Sequence, residues 1–331
     1  MKALPNCLID LHLHLDGSIS PKTARLLAEM QGIDIPADDA ELQKLLSVDA
    51  SCRDLNTYLE KFAFPCKLLQ SKEGLTTAVA CLLGELEAQG VLYAEIRFAP
   101  QKSTACGLTQ AKAVQAAIDG MKTSNIRANL ILCCMRGDDN RSENVETLRV
   151  AKQFLGKGVC AVDLAGAEAL FPTEDYADLF ALARSLKLPY TIHAGEAAGA
   201  ESVAMALELG ASRIGHGVRA VEDACVLQAL AAKKIPLELC PTSNLNTAVF
   251  DSLADFPLLK LMEAGVRVTV NTDNLTVSAT TLRDEFAKLT ETFALTTGQQ
   301  RELLLNAAEA SFADADTKMM LISRITEAFS A

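Results

Sequence analysis

Short runs dense in Val, Ile and Leu alternate along this chain with longer segments whose apolar positions recur every three or four residues. The short runs cover 7–15, 91–99, 129–135, 160–165, 189–194, 213–217, 235–240 and 266–272. Their brevity and near-continuous apolarity suit strands covered on both faces, as in a parallel sheet. Segments between the later runs, such as 201–210 and 221–234, gather their apolar residues on one helical face. Eight strand-then-helix units predict an α/β fold, a closed (β/α)8 TIM barrel. An open doubly wound sheet would instead show a glycine-rich phosphate turn after its first strand, and no G-x-G-x-x-G occurs.

The repeat is uneven at one place. About 75 residues separate the first run from the second, so a helical insertion of approximately 18–88 follows strand 1. Helical patterns at 21–31, 40–46 and 55–70, with Pro36 and Gly74 as breakers, predict a cover beside the barrel mouth. No Pro/Ser/Gly-rich linker marks a second unit, so residues 1–331 are expected to form a single domain. The segment after Asn274 reads as closing C-terminal helices.

Half of the 331 residues are apolar, which rules out disorder, and no apolar stretch reaches membrane-spanning length. Thirty-one Lys and Arg against 42 Asp and Glu leave a net charge of −11. That field repels nucleic acid and anionic lipid, so neither is an expected partner. The ten cysteines include the adjacent Cys133 and Cys134 but no C-x-x-C, and no leader-like segment precedes them. They read as inert thiols of a cytoplasmic protein. The sequence leaves the oligomeric state open.

Only four histidines are present: His12, His14, His193 and His216. His12 and His14 share a face of the first strand, His193 ends the fifth run, His216 lies in the sixth and Asp273 follows the eighth. In a parallel barrel these ends open on the face where such enzymes keep their chemistry. Any one imidazole alone reads as a satisfied polar residue near the core. Four of them with a carboxylate at strand ends predict a metal site, with zinc favoured and iron or cobalt compatible. Glu196, just past the fifth strand, either reaches the cavity or stabilises the following helix through its dipole. Gly215 and Gly217 flank His216 and leave space beside its ring for substrate or an attacking water.

The chain resembles the adenosine deaminases of the metal-dependent amidohydrolase superfamily. The resemblance rests on His12-Leu-His14-Leu-Asp16-Gly17, Tyr93-Ala-Glu-Ile-Arg97-Phe, Asp163-Leu-Ala-Gly166, His193-Ala-Gly-Glu196, Ile214-Gly-His216-Gly217, Cys240-Pro-Thr-Ser243-Asn244 and Asn271-Thr-Asp273-Asn274, in the family's order. It implies that His12, His14, His193 and Asp273 hold one Zn2+ per chain. It further implies that Glu196, His216 and Asp273 act catalytically on substrate and water. His14, Asp16, Gly166 and Asn274 would contact a small-molecule purine nucleoside: Asp16 the ribose, the Gly166 backbone a ring nitrogen, Asn274 the imidazole edge. Tyr58, Leu59 and Phe62 match a family gate over the pocket, although their helical spacing fits ordinary packing equally.

The implied reaction is hydrolysis of adenosine, and of 2′-deoxyadenosine, to inosine and ammonia. Glu196 would begin protonated in an apolar pocket and donate to ring nitrogen 1. Two positions depart from many relatives, which carry Asp where Asn274 and Ala167 stand; an Asn amide can donate where an ionised Asp only accepts. Asp16 favours a nucleoside over a nucleotide, because its charge repels a phosphate. Relatives acting on adenine resemble this motif with Glu, and those acting on methylated AMP with Asn. The alternatives are another purine deaminase of the superfamily, acting on adenine or a modified nucleoside, and an inactive binding barrel. The H-x-E and P-C-x-x-C signature of the other zinc deaminases is missing.

Overall fold

Parallel pairing organises every strand among the described residues. In the computed structural model, residues 4–49 and 52–330 are described; residues 1–3, 50–51 and 331, which the expected domain includes, lie outside the described residues. The strands are β1 (Leu8–His14), β2 (Val91–Phe98), β3 (Arg127–Met135), β4 (Val159–Ala165), β5 (Thr191–Ala194), β6 (Arg213–His216), β7 (Leu237–Leu239) and β8 (Val268–Val270). They pair in the orders β1-β2-β3-β4 and β5-β6-β7-β8, all parallel. Parallel bridges Val162 to Tyr190 and Leu13 to Asp273 join the two halves and close the ring. The result is the (β/α)8 barrel, with helices following the strands.

The strands are buried on both faces because helices cover the outside while side chains fill the inside. Every residue of β4, β5, β6, β7 and β8 is buried. Helix Thr297–Ala310 packs on both β1 and β8, covering the seam where first and last strands meet. The closing segment comprises Leu282–Phe293, Thr297–Ala310 and Ala315–Ser330. Thr281 and Thr296 begin the first two with reciprocal capping boxes, each contributing about 1 kcal/mol.

Between β1 and β2 the chain forms helices Pro21–Gln31, Asp39–Leu46, Leu55–Glu60, Ala63–Leu68 and Lys72–Ala88. The helix expected across 55–70 is therefore two. Pro65 explains the break: its ring opposes the carbonyl four residues back, on Lys61, and it has no N–H to offer. The Lys61 and Phe62 amides accordingly donate to Tyr58 and Leu59 carbonyls in a tighter turn. Gly74 also departs from expectation, lying inside the first turn of Lys72–Ala88 rather than breaking a helix. Its amide donates to the capping Ser71 Oγ at 3.0 Å, and an added Cβ would sit 2.7 Å from the Leu68 carbonyl oxygen. Close packing, not helix termination, requires that glycine. No helix among the described residues is long and apolar enough to cross a membrane.

Candidate active site

The strand register brings the histidines to one end of the barrel. His14 pairs with Arg97, His193 with Gly215, and His216 with Ala194, while Asp273 follows β8 and bridges to β1. His216 and Asp273 have φ of 57° and 60°, left-handed values rare for such residues. That conformation costs on the order of 1–3 kcal/mol and turns each side chain toward the axis as its strand ends.

Nε2 of His14 lies 3.2 Å from Nε2 of His193. Asp273 Oδ1 lies 3.5 Å from His12 Nε2 and 3.4 Å from His14 Nε2. All four donors fall within 4.8 Å of one another. Ligands about 2.0–2.1 Å from a tetrahedral zinc stand about 3.3 Å apart, so this cradle fits the ion. His12 Nε2 is buried with no hydrogen-bond partner, an orphan that a cation would satisfy. Burial drives His14 and His193 below the ordinary imidazole range, towards the neutral form a metal requires. Burial opposes ionisation of Asp273, but His12, His14 and His216 outweigh it and hold the carboxyl low. A second group, His12, His216, Cys240 and Asp273, also lies close together. Burial pushes the Cys240 thiol far up, and its Sγ donates to the Glu238 carbonyl at 3.4 Å, so it offers no thiolate.

The neighbours of this cradle fix its tautomers. Glu238 Oε2 is 2.8 Å from His12 Nδ1, and Asp163 Oδ2 is 2.9 Å from His193 Nδ1. Each carboxylate accepts the Nδ1 proton and frees Nε2 for the cavity. Arg97 donates to Asp163 at 2.9 Å and to Glu238 at 2.8 Å, while Arg213 Nε donates to Glu238 at 2.6 Å. Burial opposes the charge on Glu238, yet Arg97 and Arg213 hold it well below the usual range. Sequence reasoning assigned none of these residues a role. The available signal was an ionisable residue inside an otherwise apolar strand run.

A cavity of about 440 Å³ opens above the cradle. His14, Asp16, Tyr58, Leu59, Phe62, Gly166, His193, Glu196, His216, Asp273 and Asn274 line it; of the expected site residues only His12 lies beneath the lining. Glu196 is pushed well above the carboxylate range by burial, then by the charges of Asp273 and Glu168, which favours its protonated form. Its Oε2 is 3.6 Å from His216 Nε2. Glu168, absent from the sequence reading, accepts from the amides of Gly195, Glu196, Ala197 and Ala198 at 2.7–3.0 Å and pins that loop.

Asn244 Nδ2 donates to His216 Nδ1 at 3.1 Å. The room made by the two glycines flanking His216 is filled by protein, while the His216 ring itself faces the cavity. A Cβ at Gly215 would meet His12 Cε1 at 2.9 Å, and one at Gly217 would meet Leu237 Cδ2 at 2.6 Å. These glycines admit the His12 ring and a barrel leucine rather than substrate or water.

Asp16 Oδ1 and Asn274 Oδ1 are both buried without partners, and burial raises Asp16 to about 6. Gly17 makes room for Asn274, since a Cβ there would lie 1.6 Å from Asn274 Oδ1. Tyr58 is anchored, its hydroxyl 2.6 Å from Ser278 Oγ, and Phe62 lies edge-on to His14 with centroids 6.4 Å apart.

A closed parallel barrel with three imidazoles and a carboxylate at its C-terminal rim, facing a buried glutamate, defines a hydrolase of the metal-dependent amidohydrolase type. The adenosine deaminase family model matches residues 7–328, and the chain belongs to that family. It is 48% identical over 330 residues to an adenosine deaminase of Haemophilus ducreyi, covering 97% of this chain and 96% of that one. Among solved structures, an adenine deaminase from Arthrobacter aurescens superposes with a TM-score of 0.89 at 30% identity, covering 98% and 99% of the two chains. An amidohydrolase from Burkholderia ambifaria, solved with bound Zn, shares the fold with a TM-score of 0.87 at 22% identity, covering 98% and 91%.

Proposed function

We propose that this site hydrolyses adenosine, and 2′-deoxyadenosine with it, to inosine and ammonia. The observation that carries the reading is the convergence of a four-donor metal cradle and the buried Glu196 at one cavity. His12, His14, His193 and Asp273 would hold one zinc per chain. When bound, zinc lowers the pKa of a water toward about 7 and so supplies the nucleophile at neutral pH.

The protein groups divide the remaining work. Glu196 gives its proton to purine nitrogen 1 as attack at carbon 6 breaks the ring's aromaticity. His216, accepting from Asn244 at Nδ1, donates from Nε2 to orient the water; Asp273 takes the water's proton and passes it to the 6-amino group, which departs as ammonia. The buried, unpartnered Asp16 oxygen accepts a sugar hydroxyl and repels a phosphate. Asn274 addresses the imidazole edge. With nitrogen 1 at Glu196 and nitrogen 9 bearing the sugar, the ring nitrogen left for the Gly166 amide is nitrogen 3. Tyr58, Leu59 and Phe62 roof the cavity and shield it from water. We assign residues 1–331 to one domain, with 18–88 as its insertion, and place the enzyme in the cytoplasm, in keeping with ten free thiols.

Metal analysis combined with an ultraviolet assay of adenosine, 2′-deoxyadenosine, adenine and AMP tests the reading. Stoichiometric zinc and turnover of the two nucleosides are expected. Faster turnover of adenine or AMP, or full activity without metal, would overturn it.

A further inference from the structure

A second cavity, of about 380 Å³, lies beside the first. Leu55, Ala167 and Glu196 line both, so these three side chains form the wall between them. Ala167 contributes only a methyl group to that wall. The wall is also fixed in place: Glu168, next to Ala167, accepts four amides of the loop that carries Glu196. The rest of its lining combines apolar Val218, Val249 and Phe250 with charged residues such as Arg53 and Glu222, both exposed to solvent.

The position of this wall relative to the purine follows from the roles proposed above, on which this inference rests. Glu196 addresses nitrogen 1 and Gly166 nitrogen 3; purine carbon 2 is bonded to both. A bond pointing outward from carbon 2 therefore runs between Glu196 and the 166–167 segment, toward the second cavity. Adenosine has only hydrogen there and leaves that cavity unused.

We propose that the second cavity is a subsite for substituents on purine carbon 2, and that Ala167 is the residue that admits them. The ligand class is adenosine bearing a flat, largely apolar group at carbon 2, such as an arylamino group. Hydrolysis proceeds as for adenosine: water adds at carbon 6, the carbon–nitrogen bond to the 6-amino group breaks, ammonia leaves, and the carbon 2 substituent is retained in the inosine product. Val218, Val249 and Phe250 take the aryl ring, and the small Ala167 side chain lets the connecting bond pass.

The test compares adenosine, 2-aminoadenosine and 2-phenylaminoadenosine as substrates, with inosine and N2-phenylguanosine as product inhibitors. The two amino-substituted substrates share the electronic effect of an amine at carbon 2 and differ chiefly in bulk. For the natural protein, kcat/KM for the phenylamino compound is expected within about tenfold of the 2-amino compound, and N2-phenylguanosine should inhibit at least as well as inosine.

Ala167→Leu narrows the passage, and Val249→Trp fills the cavity with a larger lining side chain. Each is expected to lower the phenylamino-to-amino kcat/KM ratio by about tenfold or more. The second variant keeps the test open should the first not fold. Deamination of adenosine with neither turnover of the phenylamino compound nor inhibition by N2-phenylguanosine overturns the inference and leaves the proposed activity standing. So does an unchanged ratio in both variants. Absence of adenosine deamination in the zinc-loaded natural protein instead overturns the activity itself.

Discussion

Replacing Glu238 by Gln tests whether the charges beneath the metal cradle set its affinity. Three donors converge on this carboxylate: His12 Nδ1 and Arg97 Nη2 on Oε2, both at 2.8 Å, and Arg213 Nε on Oε1 at 2.6 Å. An amide has one accepting oxygen. If that oxygen faces His12 and Arg97, the amide NH2 meets the Arg213 N–H donor; the flipped amide confronts His12 and Arg97 instead. Either way one buried N–H is left without an acceptor, although Arg97 keeps Asp163 and Arg213 keeps Glu95, and such an orphan costs about 1–3 kcal/mol. At roughly 2.1 cal/mol/K of unfolding entropy per residue, 331 residues give about 0.7 kcal/mol/K, so Tm should fall by about 1–4 °C.

Zinc affinity provides the sharper readout. Loss of the carboxylate that holds His12 in its Nδ1–H tautomer should weaken metal binding about 10–100-fold. Zinc titration against a competing chelator measures that loss, and thermal unfolding of the zinc-free protein measures the stability cost. The comparison matters because a purely structural role for Glu238 would lower Tm in zinc-free protein and leave affinity almost untouched. Zinc affinity within about twofold of the natural protein would refute the assignment of Glu238 as the group that orients His12.

Three further substitutions probe two parts of the site and one buried carboxyl outside it. Glu196→Gln preserves the shape but removes the transferable proton, so zinc content should be unchanged while kcat falls about 10²–10⁴-fold; near-normal turnover would exclude Glu196 as the acid. Gly17→Ala places a Cβ where Asn274 Oδ1 now lies, 1.6 Å away, so a raised KM for adenosine with normal zinc content is expected, with about 1–3 kcal/mol of overpacking seen in thermal unfolding. Glu285 accepts from Thr280 Oγ1 at 2.5 Å and from the Thr242 amide at 3.1 Å, and burial raises its carboxyl above its ordinary value of 4.5. Its folded form therefore holds the proton more tightly than the unfolded chain, and this contribution to stability is complete at acid pH and lost as pH rises through the raised pKa. Glu285→Gln imitates the protonated acid, so its Tm relative to the natural protein should climb with pH above about 4.5; a constant difference from pH 5 to 9 would contradict this.

The barrel was legible because parallel strands covered on both faces must be apolar almost throughout, so each leaves a compact mark in the sequence. Even the three-residue strands Leu237–Leu239 and Val268–Val270 lie within apolar runs at the expected places. The cover was read less well. The periodicity of 55–70 continues straight through Phe62, and only the backbone geometry of Pro65 reveals the break. The cradle was visible because imidazoles are rare in this chain and fall at strand ends. Its supports were not: His12 and Glu238 are 226 positions apart, and nothing local in either strand names the other. The glycines beside His216 show a similar limit. Sequence reveals that room exists there, but only packing reveals that the His12 ring and Leu237 take it.

The interior beneath the site is an unusual place for so much charge. Glu95, Arg97, Asp163, Arg213 and Glu238 are all essentially inaccessible to solvent, and well-packed apolar residues in place of such ion pairs are often neutral or stabilising. Their stability contribution alone therefore gives little reason for the arrangement. Its geometry gives a better one. Two of the three carboxylates end on an imidazole Nδ1, Arg97 bridges those same two, and Arg213 ties Glu238 to Glu95 at 2.7 Å. Arg97 thus couples the orientation of His12 to that of His193, two of the four cradle residues, through a single rigid guanidinium plane. A lysine, with one mobile ammonium group, could neutralise the charge but not hold both carboxylates in one fixed geometry. The network makes chemical sense as a device that fixes both imidazoles before a metal arrives, so that binding the ion requires little rearrangement of the barrel.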